Sequence, residues 1–354
     1  MKGSVLMCNI AGYAGSRQAA PILVEMLRQQ EYYDGNLSTG VVTIHEGTLY
    51  YRKIVGSVDT LVAKSDVLDL PGTIGIAHTR PSGNPSVPPL QPYVNEEETA
   101  ALATNGFYVK HPYLDRSDSE IMRLLQEGYT FQNIFPEKFK RPRHPKSGWT
   151  LYPPEVRLKL VDMYYRECGS YTKALALTSS VVFADNAMVT ISENAPDSIF
   201  ALRTTRPLLA LEEPGETYLA TCRYAFPEEK RHLAKYLPLS YSCEINRQGL
   251  HISQDKIDCE PVPEITEAVF EQGYARLCEK LRVPKEQAFY FDDLEFAVWD
   301  MKEIFEGTPT LVPHAQLVYD VLWRLEQEGK LCKELRTQEK RGIPRQRWYF
   351  WLED

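Results

Sequence analysis

Near its start the chain reads Met7-Cys8-Asn9-Ile10-Ala11-Gly12-Tyr13-Ala14-Gly15, a cysteine directly after a methionine and before a short apolar strand that ends in small residues. A starting methionine is normally removed when the second residue is as small as cysteine, so this order offers a way to make Cys8 the first residue of the mature protein. A free α-amine has a pKa near ~8 and can take the proton of the neighbouring thiol. The stretch therefore predicts a hydrolase whose own N-terminus is catalytic, with residues 1–6 as either a misassigned start or a removable leader.

The composition limits the class of protein. The chain has 354 residues, 43% of them hydrophobic, which predicts two domains, or one large domain with an appendage, and a substantial core. A net charge of −8 argues against a surface that follows nucleic acid throughout. No apolar run is long enough to span a membrane, and the first residues do not form a secretory signal. The seven cysteines are scattered without a C-x-x-C pair. Neither a disulfide framework nor a zinc site is therefore predicted, and a reducing cytoplasm is the expected location.

The hydrophobic pattern predicts mixed helices and strands up to about residue 256. A helix is expected over 19–32, and a hairpin over 40–52 that turns at Glu46-Gly47. Other strands are expected over 10–14, 72–80, 99–105, 180–191, 198–203, 208–211 and 217–221. Residues 132–154 are rich in Lys, Arg and Pro, and they are predicted to form an exposed insertion.

A proline-bearing linker at 259–264 predicts a second domain. Beyond it, helices are expected over 265–281, 291–305 and 311–329, followed by a hairpin whose turn region carries Lys340, Arg341, Arg345 and Arg347. Helices followed by a terminal hairpin are typical of a winged-helix module. The helix that would enter a DNA groove carries Arg324 but several acidic residues, which makes a poor surface for phosphates. Protein contact or dimerisation is therefore favoured over DNA binding.

Four short stretches carry residues that together suit hydrolysis of an amide on an amino acid. They are Cys8 itself, His78-Thr79-Arg80 and Thr104-Asn105-Gly106 at the ends of two strands, and Ser117-Asp118-Ser119-Glu120 at a helix start, where Ser117 is a predicted cap. A thiolate can attack a side-chain amide and form an acyl-enzyme. The amide of Asn105 and the backbone N–H of Gly106 can hold the oxyanion. Arg80 can pair with an α-carboxylate through two hydrogen bonds, and Asp118 can hold an α-ammonium.

These stretches resemble the class II glutamine amidotransferases, a family of N-terminal-nucleophile hydrolases, and within it the glutaminase domain of glucosamine-6-phosphate synthase. The family's Cys-Gly-Ile-x-Gly-Tyr-x-Gly opening is matched at 8–15, and its Gly-x-Ala-His-Thr-Arg stretch at 75–80. Its His-Asn-Gly, Thr/Ser-Asp-Thr-Glu and Arg-Pro-Leu segments are matched at 104–106, 117–120 and 206–208. Each motif alone is weak, but together and in the family's order they are specific. The resemblance covers residues 7–256.

The resemblance implies a four-layer αββα sandwich over residues 8–258. With the winged-helix-like module that the helix and hairpin pattern predicts over 264–354, the expected fold class is α+β. The resemblance further implies hydrolysis of L-glutamine to L-glutamate and ammonia without a metal or organic cofactor. The C-terminal module is too short to be one of the ammonia-using domains of the family. The acceptor site is therefore expected on a partner protein or is absent, and a homodimer is a further option.

The resemblance also assigns roles to five residues. Cys8 is the expected nucleophile, with its own α-amine as base, and Asn105 and Gly106 form the expected oxyanion hole. Arg80 and Asp118 are expected to hold the amino-acid end of glutamine. His78 is interpreted as a structural histidine and is left out of the catalytic group.

Departures from the family pattern leave other functions open. Tyr33-Asp34 stands where the family has Arg-Gly, Pro81 replaces an aromatic residue after the glutamine-binding Arg, and Thr104 replaces the His of the oxyanion motif. These changes motivate an alternative in which the domain has lost turnover, senses glutamine and acts as a regulator through the C-terminal module. A third option is a different amide substrate, since related N-terminal-cysteine hydrolases cleave other amides.

Overall fold

The computed structural model describes residues 8–81, 90–108, 116–136, 142–182, 184–299, 302–307, 309–340 and 343–353. The proposed leader and the Met7–Cys8 bond lie outside the described residues. The described residues also leave out three basic residues of the expected insertion, Lys138, Lys140 and Arg141, and one of the expected wing, Arg341. The described residues form two parts, which we call the sandwich (residues 8–256) and the C-terminal module (residues 267–353).

The sandwich is built from five helices and fifteen strands within the described ranges. The helices are α1 (Ala19–Gln30), α2 (Val58–Lys64), α3 (Ser117–Gln126), α4 (Pro153–Cys168) and α5 (Tyr171–Val181). The first strands are β1 (Asn9–Ala14), β2 (Ser38–His45), β3 (Thr48–Val55), β4 (Ile74–Arg80), β5 (Tyr93–Val94), β6 (Ala100–Tyr108), β7 (Ile134–Phe135) and β8 (Thr150–Leu151). They are followed by β9 (Ala184–Ser192), β10 (Ile199–Arg203), β11 (Leu209–Glu213), β12 (Glu216–Ala220), β13 (Lys235–Tyr236), β14 (Tyr241–Asn246) and β15 (Gly249–Lys256).

Two sheets stack face to face between layers of helices. One has seven strands in the order β13-β11-β12-β1-β4-β2-β3, and the other has six in the order β15-β14-β10-β9-β6-β5. Apolar side chains of both sheets fill the space between them, among them Ile10, Ile76, Val189 and Ile199. Helix α1 packs on the outer face of the first sheet, while α4 and α5 pack on the outer face of the second. The layer order is thus α, β, β, α.

Strand β1 lies at the centre of the seven-stranded sheet, hydrogen-bonded to β12 on one side and β4 on the other. All six of its residues are buried. This explains its run of small and apolar residues, because a strand covered on both faces has no place for an alternating polar pattern. Gly12 leaves little space for a side chain, since an added Cβ would lie 3.2 Å from Leu219. Cys8 immediately precedes this strand and is therefore held at the end of the sheet.

Most predicted elements are present with shifted ends. The hairpin of β2 and β3 turns at Glu46 and Gly47, both of which have positive φ (50° and 76°), as expected for a two-residue hairpin turn. The strand expected over 180–191 begins only at Ala184, because Ser180 and Val181 belong to helix α5. Ser117 is not the cap of α3 but its first helical residue, and Arg116 precedes it.

The expectation of an exposed insertion over 132–154 is wrong at its C-terminal end. Leu151 is fully buried and Tyr152 is 6% exposed, and helix α4 begins at Pro153. Both side chains belong to the hydrophobic cluster beneath the six-stranded sheet. The basic composition of the stretch therefore concealed a segment that packs into the core.

The C-terminal module consists of α6 (Glu267–Leu281), β16 (Phe289–Tyr290), α7 (Phe291–Trp299), α8 (His314–Gln327), β17 (Leu331–Lys340) and β18 (Ile343–Leu352). Its three strands pair in the order β16-β18-β17. The helix expected over 291–305 is shorter than predicted, since α7 ends at Trp299 and a short 3₁₀ turn covers Lys302–Ile304. In the ranges given above, no helix is both long and apolar enough to cross a membrane.

The module and the sandwich share a hydrophobic cluster. Tyr33 of the sandwich stacks on Tyr224 with ring centroids 4.4 Å apart, and its ring also lies 6.0 Å from that of Phe350 in β18. Phe291 and Tyr319 of the module belong to the same buried cluster. The module is therefore docked on the sandwich through its own core.

Candidate active site

Cys8, which directly precedes β1, contacts Asn105, which lies within β6. The backbone N–H of Cys8 donates a hydrogen bond of 2.9 Å to Oδ1 of Asn105. Asn105 is fully buried, and its Nδ2 has no hydrogen-bond partner in the described part of the chain. A buried amide donor without a partner costs free energy unless a ligand completes it. The structure thus brings together the predicted nucleophile and a predicted oxyanion donor.

Gly106 follows Asn105 at a position that only glycine can occupy. Its φ is +127°, and an added Cβ would lie 1.8 Å from the carbonyl oxygen of Asp185. This close approach results from the pairing of β6 with β9, where Gly106 faces Asn186. The Asn-Gly pair is therefore fixed from behind by the neighbouring strand.

Arg80 is brought to the same place by strand pairing. Asn9 of β1 pairs with Thr79 of β4, and continuing this antiparallel register places Cys8 opposite Arg80. Arg80 is partly buried, and its Nε has no hydrogen-bond partner among the residues described. Burial raises the pKa of the Cys8 thiol, and the charge of Arg80 opposes this rise.

His78 has the surroundings of a structural residue. It is fully buried, and its Nε2 lies 3.2 Å from the carbonyl oxygen of Thr104. Burial, together with the nearby charge of Arg80, lowers its pKa to about 3. The imidazole is therefore neutral at physiological pH.

The Cys8 thiol needs a base in order to react. Burial raises its pKa to about 12, and the charges of Asp34 and Asp292 add to this effect while Arg80 and Arg206 oppose it. The thiol is therefore protonated near pH 7, and a thiolate must be generated by proton transfer to a nearby group.

Asp118 lies in the first turn of helix α3, where its side chain is exposed. A carboxylate at this position also stabilises the helix by about 0.3–1 kcal/mol through the helix dipole. The role of Asp118 as a ligand of an α-ammonium remains a prediction.

Two residues near the thiol were not identified from the sequence. Tyr152 is buried, which raises the pKa of its phenol, and the charges of Arg80 and Cys8 act on it. Gln91 accepts a 2.6 Å hydrogen bond from the backbone N–H of Thr104 through Oε1. Among the described residues, no group of three or more His, Cys, Asp or Glu side chains is arranged to hold a metal ion.

The two residues that depart from the family pattern beside the first helix, Tyr33 and Asp34, both contact the C-terminal module. Tyr33 stacks within the shared aromatic cluster described above. Asp34 is fully buried, and its Oδ1 lies 3.0 Å from Nη2 of Arg347 in β18. Asn9, next to Cys8, donates from Nδ2 to the carbonyl oxygens of Gln30 and Asp34. The altered segment therefore lies between the thiol and the module.

Sequence comparisons identify relatives of the chain. The chain is 29% identical over 224 residues to the glutamine–fructose-6-phosphate aminotransferase (isomerizing) of Pyrococcus horikoshii, covering 62% of this chain and 33% of that protein. It is 31% identical over 219 residues to the corresponding protein of Clostridium tetani, covering 61% and 31% respectively. The chain thus spans about a third of the length of these relatives. The sequence matches no model of a known protein family.

Solved structures show the same fold. The glutamine phosphoribosylpyrophosphate amidotransferase from B. subtilis superposes with a TM-score of 0.53 at 18% identity, covering 71% of this chain and 50% of that one. A structure described as the allosteric regulatory enzyme of purine biosynthesis superposes with a TM-score of 0.55 at 16% identity, covering 95% and 68%. The chain is thus similar in sequence to part of these aminotransferases and shares its fold with both solved structures, and these findings support its resemblance to the class II glutamine amidotransferases.

Proposed function

We propose that the sandwich hydrolyses L-glutamine to L-glutamate and ammonia through a thioester on Cys8. The observation that carries this proposal is the contact between the backbone nitrogen of Cys8 and Oδ1 of Asn105, with Nδ2 of the same side chain left for a ligand. Once Met7 is removed, this nitrogen is an α-amine. Its hydrogen bond to Asn105 orients the amine and leaves its lone pair for the thiol proton.

In the first half-reaction the α-amine accepts the thiol proton and sulfur attacks the side-chain amide carbon of glutamine. The carbonyl oxygen becomes an oxyanion, to which Nδ2 of Asn105 and the backbone N–H of Gly106 donate. Arg80 pairs with the α-carboxylate, and Asp118 holds the α-ammonium. The protonated amine then gives its proton to the amide nitrogen, the C–N bond breaks, and ammonia leaves a γ-glutamyl thioester.

In the second half-reaction water replaces ammonia. The α-amine takes a proton from the water, hydroxide adds to the thioester carbon, and the same oxyanion donors act again. The C–S bond breaks, the thiol regains its proton, and glutamate is released. The raised pKa of the Cys8 thiol makes it a protonated leaving group at neutral pH.

We assign residues 8–258 and 264–354 as two domains, the second of them winged-helix-like. The order helix, strand, two helices and hairpin, with the first strand pairing to the last, supports this assignment. Ammonia is passed to a partner protein or to an unidentified acceptor. DNA is disfavoured as a partner because two arginines of the expected wing, Arg345 and Arg347, are 3% and 1% exposed.

A second candidate function is glutamine sensing without turnover. The contacts of Tyr33 and Asp34 with the C-terminal module favour it, because they connect the surroundings of the thiol to a module of the kind found in regulators. In this case glutamine binds and the module responds, but no thioester accumulates.

The deciding experiment compares wild-type protein with Cys8→Ala and with a matched thiol control, Cys168→Ala. Cys168 is a free, partly buried cysteine at the end of α4. Ammonia released from glutamine should be lost only in Cys8→Ala, and a glutamine-like diazoketone should label Cys8 only. Glutamine binding without labelling or turnover supports the sensor, and equal ammonia release by all three proteins refutes the proposed mechanism.

A further inference from the structure

Strand β18 of the C-terminal module touches the sandwich with four residues in succession. Arg345 donates from Nη1 to the carbonyl oxygen of Pro81, and the carbonyl oxygen of Gln346 accepts a 2.7 Å hydrogen bond from Nδ2 of Asn36. The guanidinium of Arg347 donates to the carboxylate of Asp34 at 3.0 Å. The backbone N–H of Trp348 donates to the carbonyl oxygen of Tyr32 at 3.0 Å.

The sandwich atoms that receive these contacts flank the predicted glutamine site. Pro81 directly follows Arg80, the expected ligand of the α-carboxylate. Asn36 donates from its backbone to Oγ1 of Thr79, and the next backbone N–H, that of Leu37, donates to the carbonyl oxygen of Arg80 at 2.9 Å. The contacts of β18 therefore enclose the end of β4 from two sides.

A second route joins the module to the oxyanion side of the site. Glu295 of α7 lies 2.5 Å from Nη1 of Arg206 and 2.7 Å from Nε2 of His314 in α8. The second terminal nitrogen of this guanidinium, Nη2, lies 2.8 Å from the carboxylate oxygen Oδ2 of Asp185. The backbone carbonyl oxygen of Asp185 lies directly behind Gly106. These side chains are at most 1% exposed, so water does not weaken their interactions.

We propose that the C-terminal module is part of the glutamine site, and that Arg345 is a positioning residue that fixes Pro81 and thereby Arg80. This inference rests on the proposed binding of glutamine by the sandwich. Because the contact holds a ligand of glutamine in place, glutamine binding and docking of the module stabilise each other reciprocally. If the module only packed on the sandwich and did not position Arg80, loss of the Arg345 contact would change the stability of the protein but not its affinity for glutamine.

The test measures glutamine affinity by calorimetry in the Cys8→Ala protein, which binds without turnover. Arg345→Met should weaken binding roughly tenfold or more, as expected for loss of a charged donor, while Arg345→Lys should restore part of the affinity. Asn36→Gly, which removes the bond to Gln346 and tolerates the φ of 61° at this position, should weaken binding severalfold. Thermal unfolding confirms that each variant is folded.

The matched control is Arg336→Gln on the adjacent strand. Arg336 lies opposite Arg347 in the hairpin but pairs with Glu334 at 2.7 Å within the module. Its replacement should leave glutamine affinity unchanged. If the folded Arg345→Met variant binds glutamine as tightly as the Cys8→Ala parent protein, this inference alone is overturned. If the Cys8→Ala parent binds no glutamine, the proposed function is overturned as well.

Discussion

Replacing Arg347 with Met should expose how strongly the module is held on the sandwich. Arg347 is 1% exposed, and its guanidinium lies 3.0 Å from Asp34 and 3.1 Å from Asp292. Removal of one partner from a buried ion pair leaves an uncompensated charge and costs about 3–5 kcal/mol. This is a large share of a total stability of about 5–15 kcal/mol.

The two carboxyl groups around Arg347 make the expected cost dependent on protonation. Burial raises the pKa of Asp34 well above its usual range, and the neighbouring Asp292 raises it further. The raised pKa of Asp34 favours a proton shared between Asp34 and Asp292, with Arg347 neutralising the charge that remains. The double variant Arg347→Met, Asp34→Asn keeps only one carboxyl of the pair, that of Asp292. Its loss of unfolding free energy should therefore be smaller than the sum of the two single-variant losses by about 1–3 kcal/mol.

Urea unfolding and limited proteolysis of the segment 257–266, which contains no helix or strand, measure this effect. Arg347→Met should lower the stability by about 3–5 kcal/mol and speed cleavage of the segment, while the control Arg336→Met should cost under about 1 kcal/mol because its ion pair is more exposed. Strictly additive costs of Arg347→Met and Asp34→Asn, or no cost for Arg347→Met, would refute the reasoning.

Two further predictions concern the site and the effect of pH. Asn105→Ala should lower kcat for glutamine roughly 10²–10³-fold, because it removes an oxyanion donor. Thr190→Val, which removes a buried 2.8 Å hydrogen bond elsewhere in the same strand pair, should cost about 1 kcal/mol of stability and leave kcat unchanged in steady-state assays. Because the native pKa of Asp34 is raised, its contribution to stability is complete below the unfolded pKa of about 4 and is lost as pH rises through the native value. Urea unfolding between about pH 5 and pH 9 should therefore show a steeper alkaline loss for wild-type protein than for Asp34→Asn, and parallel curves would contradict this assignment.

The layers of the sandwich and the proximity of three candidate site residues could be predicted because their signals are local in sequence. Cys8 and Arg80 lie at the ends of strands whose apolar runs are visible in the sequence, and the Asn105-Gly106 pair lies within such a strand. The structure brings Cys8 next to Asn105 and opposite Arg80. Helix α4 was not recognised because it buries polar as well as apolar residues. Glu155 and Arg157 are 0% and 2% exposed, so no polar face marks the helix.

Contacts between distant parts of the chain could not be predicted in the same way. The bond between Arg347 and Asp34 spans 313 positions, and nothing in the sequence near either residue indicates its partner. The basic residues of the final hairpin were interpreted as a DNA-facing wing, the less favoured alternative. The structure instead buries Arg345 and Arg347 against the sandwich. Sequence pattern indicated the hairpin but not the direction of its side chains.

Intact-mass analysis of the natively expressed protein, before and after treatment with the glutamine-like diazoketone, tests the account most directly. The account predicts a chain that begins at Cys8 and gains one adduct on that residue, with loss of ammonia release in proportion to labelling. A protein that keeps residues 1–7 and still hydrolyses glutamine at full rate would contradict it.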